Sequence, residues 1–193
     1  MENKPIHIHT EPGYIEAKDD AALNMANERR SGVYTKFASG FAFEKTAALT
    51  GTLKQGIYSH QGHKYICYSE TIFSFIAAAT GQKKICYLIS EYVYKSNNVQ
   101  EHTLKVLQGA SSANPVPPAL LKKDLFAIEA TSTSQEAIYQ IDITEGNITK
   151  ISLVTSALDG VDVNDITGLQ VQIDKKTDKS WSTDEQIRVN AEF

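Results

Sequence analysis

Apolar and polar side chains alternate along the middle of the chain. One such segment, residues 71–76, would place Ile72, Ser74 and Ile76 on one face of a strand and Phe73 and Phe75 on the other. Successive side chains of a β-strand point to opposite faces of the sheet, so this period of two indicates a strand. Similar short segments recur with turn residues between them, which predicts an antiparallel β-sandwich or barrel.

The longest run of Ile, Leu, Val and Tyr covers residues 84–95 and predicts a central strand. A Ser-Asn-Asn turn follows it. Residues 99–108 are then predicted to return as the second strand of a hairpin, in which Tyr92 and Tyr94 pair with residues 102–105. Residues 47–53 are predicted to form one further strand, with a bulge at the glycine in its middle.

One helix is predicted near the N-terminus, over residues 16–28. Alanine, leucine and methionine residues form a modest apolar stripe, and Asp19 and Asp20 place negative charge in the first turns, where the helix dipole favours it. The fold class expected is mainly β: an antiparallel β-sandwich-like module with one N-terminal helix and a polar C-terminal extension. The predicted divisions are an arm and helix (1–32), a β-sandwich-like body (33–155) and the extension (156–193).

Length and charge limit the classes of protein to which the chain can belong. Its 193 residues suffice for a hydrophobic core without disulfide or metal cross-links. The net charge of −4 argues against a protein that binds nucleic acid through phosphate contacts, because such binding requires a basic face. No apolar run approaches the ~18 residues of a membrane span, so no membrane insertion is expected. The first ten residues also lack the apolar segment of a signal peptide.

Two cysteines, Cys67 and Cys86, each lie inside a predicted strand. Two buried free thiols are the preferred interpretation, because the sequence shows no secretion signal. A disulfide between neighbouring strands is the alternative.

Histidines are the first candidate metal ligands. His7 and His9 alternate on an extended N-terminal arm, and His60 and His63 bracket a turn. Zinc requires three or four converging ligands, and nothing in the spacing brings the two pairs together. Structural histidines are the preferred interpretation, so no metal site is expected.

An acidic segment near the C-terminus is the second candidate. Asp159, Asp162 and Asp165 are three residues apart, whereas an EF-hand calcium loop needs ligands at alternate positions and a closing glutamate. A solvated turn explains these residues better. No nucleotide-binding or hydrolase motif occurs, so we expect a protein that is not an enzyme and that needs no cofactor.

Tyrosines are concentrated in the predicted β region. Tyr58, Tyr65, Tyr92 and Tyr94 are candidate contacts with another protein or with a saccharide, because amphipathic aromatic rings are favoured at wet interfaces. The preferred alternative is that most of these rings simply pack the sheets.

Four segments of the chain, taken in order, resemble a known family. They are a helix with Asp-Asp-Ala-Ala (13–34), a strand and glycine-rich turn (49–84), a strand (85–95), and Leu-x-Val-x-x-Gly before a proline-rich loop (102–120). Together they resemble tail-tip or baseplate structural proteins of tailed phages and prophages of Gram-positive bacteria. The chain departs from that pattern where Lys84-Ile85-Cys86 replaces an Arg-x-Asp motif.

The resemblance implies a β-sandwich-like module that assembles as a cyclic oligomer around the tail axis, here expected to be a trimer or hexamer. It also implies a virion protein that contacts other tail or baseplate proteins and links the tail to host-recognition parts. It brings no catalytic residues. A receptor-binding module that recognises host cell-wall saccharide is the alternative function.

Overall fold

A computed structural model of the chain describes residues 17–28, 30–94, 100–125 and 132–158. Within these residues the protein is mainly β, with one helix near the N-terminus, as the sequence predicts. The elements are α1 (Ala17–Glu28), β1 (Gly32–Val33), β2 (Phe43–Ala47), β3 (Thr50–Leu53), β4 (Gly56–His60), β5 (His63–Cys67), β6 (Thr71–Ser74), β7 (Lys83–Tyr94), β8 (Gln100–Leu107), β9 (Ser132–Thr144), β10 (Asn147–Leu153) and β11 (Ser156–Ala157).

The strands form three sheets. The first has the order β11-β1-β4-β5, the second β10-β9-β7-β8 and the third β2-β3-β6. Every pairing among the described strands is antiparallel except that of β1 with β11, which is parallel. The predicted mainly antiparallel, β-sandwich-like fold is therefore confirmed.

One hydrophobic core joins the three sheets. Val33 and Tyr58 enter it from the first sheet, Leu88 and Ile141 from the second, and Leu53 from the third, all fully buried. Each large apolar side chain removed from water contributes about 1.5–3 kcal/mol. Contact among these side chains therefore holds the sheets together.

The alternation predicted around Ser74 is confirmed. Phe75 is buried and Phe73 packs against the core, whereas Ile72 and Ile76 are 68% and 65% exposed. The segment is β6 with its continuation, and β6 lies at an edge of the third sheet. Its outer face is thus apolar and open to solvent.

The predicted central strand is β7, which lies between β8 and β9. The predicted hairpin also forms, and Tyr92 lies opposite His102 as expected. The expected partner range for Tyr94 is wrong, because Tyr94 lies opposite Gln100 rather than residues 102–105. Most side chains on both faces of β7 are buried or half-buried. This burial explains why β7 carries apolar side chains on both faces rather than alternating.

The prediction of a single strand over residues 47–53 is wrong. β2 ends at Ala47 and β3 begins at Thr50, and the two pair as a hairpin in which Phe43 lies opposite Leu53. A register irregularity does occur beside this glycine, on the partner strand between Lys45, which lies opposite Gly51, and Ala47. Gly51 also serves close packing, because a Cβ atom there would lie 2.3 Å from Cζ of Phe43 in the same hairpin.

Helix α1 packs against the turn between β4 and β5. The Asn24 side-chain amide donates a hydrogen bond to the Gly62 carbonyl at 3.2 Å. Gly62 has φ +84°, and a Cβ atom there would lie 1.9 Å from the Ala21 carbonyl oxygen. Only glycine allows both this backbone conformation and this close approach. In the described part of the chain, no helix is long and apolar enough to cross a membrane.

The chain divides into two compact units, Met1–Leu158 and Asp159–Phe193. The predicted body ends at residue 155, three residues too early, because Ser156–Ala157 form β11 beside β1. The Leu158 N–H also donates to the Val33 carbonyl at 2.7 Å. The second unit, and with it most of the predicted polar extension, lies outside the described residues.

Candidate functional site

Three of the four tyrosines proposed as surface contacts are buried, which corrects that expectation. Tyr58, Tyr65 and Tyr92 are 0%, 8% and 3% exposed. They point inward because they share strand faces with core residues, and the Tyr58 hydroxyl donates to Glu136 Oε2 at 2.7 Å. Tyr94, at the end of β7, is half-buried. Packing of the sheets, the preferred alternative, is therefore what the first three rings do.

Among the described residues, no third metal ligand converges on the histidine pair His60 and His63. The two residues lie opposite each other in the β4–β5 hairpin, and the His63 ring lies 4.3 Å from the Tyr92 ring. Across the described ranges, no three His, Cys, Asp or Glu residues are placed to hold a metal ion. His7 and His9 lie outside those ranges, as do the three aspartates considered for calcium.

A chain of buried hydrogen bonds links the first sheet to the second. It consists of His60 on β4, Ser90 on β7, His102 on β8 and Ser134 on β9, and none of the four is more than 5% exposed. We call it the histidine–serine chain. The His60 ring lies 2.7 Å from Ser90 Oγ through Nδ1 and 3.0 Å from Ser134 Oγ through Nε2. Ser90 Oγ in turn lies 2.6 Å from His102 Nε2.

The hydrogen-bond donors within the histidine–serine chain can be assigned by starting from Ser134. Ser134 Oγ donates to the Lys123 carbonyl at 3.0 Å, so it must accept a proton from His60 Nε2. A neutral His60 then accepts at Nδ1 from the Ser90 hydroxyl, which accepts from His102 Nε2. This order uses one proton per group and leaves both imidazoles neutral. His102 Nδ1 is left as a buried acceptor without a hydrogen-bond partner among the described residues.

Burial keeps both histidines neutral. It lowers the pKa of His60 well below its usual value, and the nearby His102 and His63 lower it further. Burial also lowers the pKa of His102 to about 3, with a smaller contribution from His63, while the backbone of Lys64 acts against this shift. A charged imidazole here would lose its hydration, and the Glu136 carboxylate, 3.9 Å from His60 Nε2, lies beyond hydrogen-bond distance.

Glu136 lies beside the histidine–serine chain and joins it to the first sheet. Its carboxylate accepts hydrogen bonds from Tyr58 and, at 2.9 Å, from Ser31, and one of its oxygens lies 3.9 Å from His60 Nε2. Burial raises the pKa of Glu136, and these hydrogen bonds act against the rise. Apart from His102 Nδ1, the buried side-chain polar atoms of this network have hydrogen-bond partners among the described residues. Its chemistry is therefore structural: it fixes the strands relative to one another.

Both cysteines are free and buried, as the preferred interpretation expected. Cys67 Sγ lies 3.0 Å from the Ser69 carbonyl, and Cys86 Sγ lies 3.2 Å from Gln108 Oε1. Burial raises the pKa of the Cys86 thiol, which disfavours the reactive thiolate.

Most sheet edges in the described region are protected against pairing with another chain. Exposed charged residues lie on three of them: Glu44 and Lys45 on β2, Glu101 and Lys105 on β8, and Lys150 on β10. β5 is covered by α1, and β11 is only two residues long. Charge, cover and short length are the usual means of preventing edge-to-edge association.

The edge formed by β6 lacks these protections. Its residues, Thr71–Ser74, include no charge. Ile72 on the strand and Ile76 just after it are exposed to solvent, and Tyr68 before the strand is 48% exposed. We call residues 71–76 the open edge. An uncharged edge strand with exposed apolar side chains is a typical site for pairing with a further strand.

The proline-rich segment that follows β8 is a second exposed apolar surface. Val116 and Leu121 on it are 75% and 58% exposed. Lys83 and Ser112 exchange two backbone hydrogen bonds of 2.9 Å at one end, and at the other Gln135 N–H donates to the Leu121 carbonyl at 2.7 Å. The segment is therefore fastened to the second sheet at both ends, and its prolines restrict the backbone between them.

Comparisons with known proteins identify no relative of the chain. No family model matches it. No curated protein and no solved structure gives a significant match either. Its function is therefore inferred from its own residues.

Proposed function

We propose that this chain is a structural protein of a phage tail tip or baseplate. It works through protein–protein contacts and links the tail to host-recognition parts. The proposal includes self-association into a trimer or hexamer and a location in the virion. Its first support is the ordered set of four segments that resemble this family.

The observation that carries the proposal is the exposed apolar surface of the open edge. Ile72 and Ile76 leave about two-thirds of their surface in water, at 68% and 65%, on a strand without charge. Water around such groups is unfavourable, so another surface that covers them gains free energy. The fastened proline-rich segment adds a stiff second surface, which loses little conformational entropy when it is bound.

The buried interior suits an architectural role. The histidine–serine chain ties four strands from two sheets together, and every group in it is sealed from solvent. A rigid body of this kind holds its edges in fixed positions. Fixed positions are what repeated assembly around an axis requires.

The saccharide-binding alternative loses most of its residues in this structure. Three of the four candidate tyrosines are inside the protein, and only Tyr94 among them is partly accessible. No arrangement of exposed aromatic rings in the described part of the chain singles out a sugar-binding surface. We therefore favour the architectural function.

Immunogold labelling tests the proposal. Antibodies raised against the purified chain are applied to tailed particles induced from the strain that encodes it. The proposal predicts gold at the distal end of the tail, and none on particles from a strain that lacks the coding sequence. Gold confined to heads, or absent from purified particles, would overturn the proposal.

A further inference from the structure

We propose that two copies of this chain pair through the open edge, antiparallel, about a two-fold axis at Ser74. The pairing rests on the proposed function only in that both require self-association. The surface is the open edge, and the partner is a second copy of the same chain.

The backbone of β6 is ready for such pairing. Phe75 N–H donates to the Leu49 carbonyl at 2.8 Å, and β6 pairs with β3 in continuous antiparallel register from that point. In such a ladder alternate residues face the partner strand, so Phe73 and Phe75 face β3, and Ile72 and Ser74 direct their N–H and C=O groups outward. None of the described residues bonds to these outward groups.

The sequence of the open edge is self-complementary. Residues 72–76 read Ile-Phe-Ser-Phe-Ile, a palindrome centred on Ser74. When Ser74 lies opposite Ser74 of the partner subunit, Ile72 lies opposite Ile76 of the partner subunit, and Phe73 opposite the partner's Phe75. The exposed isoleucines of one copy then cover those of the other, and no charged residue lies within the paired segment.

Neighbouring contacts fix the end of the open edge. Lys84 Nζ donates to the carbonyls of Ile76 and Ala77, each at 3.3 Å, and Ala78 N–H donates to the Glu145 carbonyl at 2.7 Å. The end of the segment is therefore held in place before any partner binds. A segment that is already held in place loses little entropy on pairing, which favours association.

The proposed axis also constrains the size of the assembly. A two-fold contact occurs in dimers and in hexamers with dihedral symmetry, but not in a simple three-membered ring. An even number of copies follows. Of the two sizes expected from the resemblance, this favours the hexamer.

Sedimentation velocity of the full chain tests the pairing. The wild type should have an even multiple of the 21.3 kDa chain mass. Ile72→Lys, which places two lysines in the contact, should halve that mass. Ser74→Pro should do the same, because it removes a donor that faces the open edge and leaves the bonds to β3 intact. Leu23→Lys, the same kind of change at a 57%-exposed position on α1, should leave the mass unchanged.

Cross-linking tests the register. Directly opposed residues in a hydrogen-bonded antiparallel pair lie about 5.5 Å apart at Cα, within disulfide range. Ser74→Cys should therefore form a covalent dimer on mild oxidation, whereas Leu23→Cys should not. The native thiols are buried and should not compete.

Two results would overturn the pairing. One is a wild type that stays a monomer at high concentration, and the other is an oligomer of unchanged mass in both Ile72→Lys and Ser74→Pro. Neither result changes the expected outcome of the gold-labelling experiment. Failure of this contact can therefore be distinguished from failure of the proposed function.

Discussion

Acidification from pH 7.5 to pH 5 is expected to lower the free energy of unfolding by about 2 kcal/mol through His102, with a further loss through His60. Natural domains of this size are stable by only about 5–15 kcal/mol, so the loss is a large share of the total. The body should therefore unfold at markedly lower urea concentration, or lower temperature, at pH 5.

The direction of this effect follows from the two protonation states. In the unfolded chain a histidine has a pKa near 6.5, whereas burial depresses the pKa of both residues in the folded protein, that of His102 to about 3. Between these values the unfolded state binds protons that the folded state excludes. The stability that depends on neutral histidines is thus fully present above pH 6.5. It is lost as the pH decreases toward the pKa of the folded state.

Urea unfolding at both pH values, with two variants, isolates the histidines. Glutamine at position 102 cannot be protonated, so the stability of His102→Gln should fall by about 2 kcal/mol less than that of the wild type between pH 7.5 and pH 5. Ser90→Ala breaks the same hydrogen-bonded chain without removing a titratable group, so it should lose stability at both pH values and keep the full pH dependence. Burial raises the pKa of Glu136, so its titration changes the free energy of unfolding in the opposite direction to that of the histidines. This contribution should be the same in all three proteins. Equal losses in wild type and His102→Gln would contradict the assignment of neutral histidines.

Gly62→Ala is the substitution expected to have the next largest effect, a loss of about 3 kcal/mol. The new methyl group would meet the Ala21 carbonyl at 1.9 Å, and φ +84° is unfavourable for alanine. Helix α1 would have to move away from the β4–β5 turn, breaking the hydrogen bond from Asn24.

Gly146→Ala is the matched control. It lies in the β9–β10 turn, and nothing lies within 4 Å of its added Cβ. Its effect on urea unfolding should stay within about 0.5 kcal/mol. Similar stability of the two variants would show that α1 is not held by this contact.

The sequence predicted best those elements whose pattern is local. The pattern around Ser74 placed Phe75 on one face and the two isoleucines on the other, because successive side chains of a strand point to opposite faces. The structure buries Phe75 and exposes Ile72 and Ile76. Tyr92 was harder to place. A central strand is buried on both faces, so the apolar run of β7 carries no sign of which side a tyrosine faces.

The histidine–serine chain could not be found from spacing, because its partners are distant in the sequence. His60 lies 30 residues from Ser90 and 74 from Ser134, and only the packing of two sheets brings them together. One signal was available. His60 follows Tyr58 by two residues in β4, so the two share the buried face of that strand.

Deletion of the coding sequence from the genome that carries it tests the central claim most directly. Particles are then examined by negative-stain electron microscopy and assayed for infection. A tail-tip or baseplate protein predicts normal heads, tails with an incomplete distal end and loss of infection, all restored by the chain supplied in trans. Infectious particles with complete tails in its absence would contradict the account.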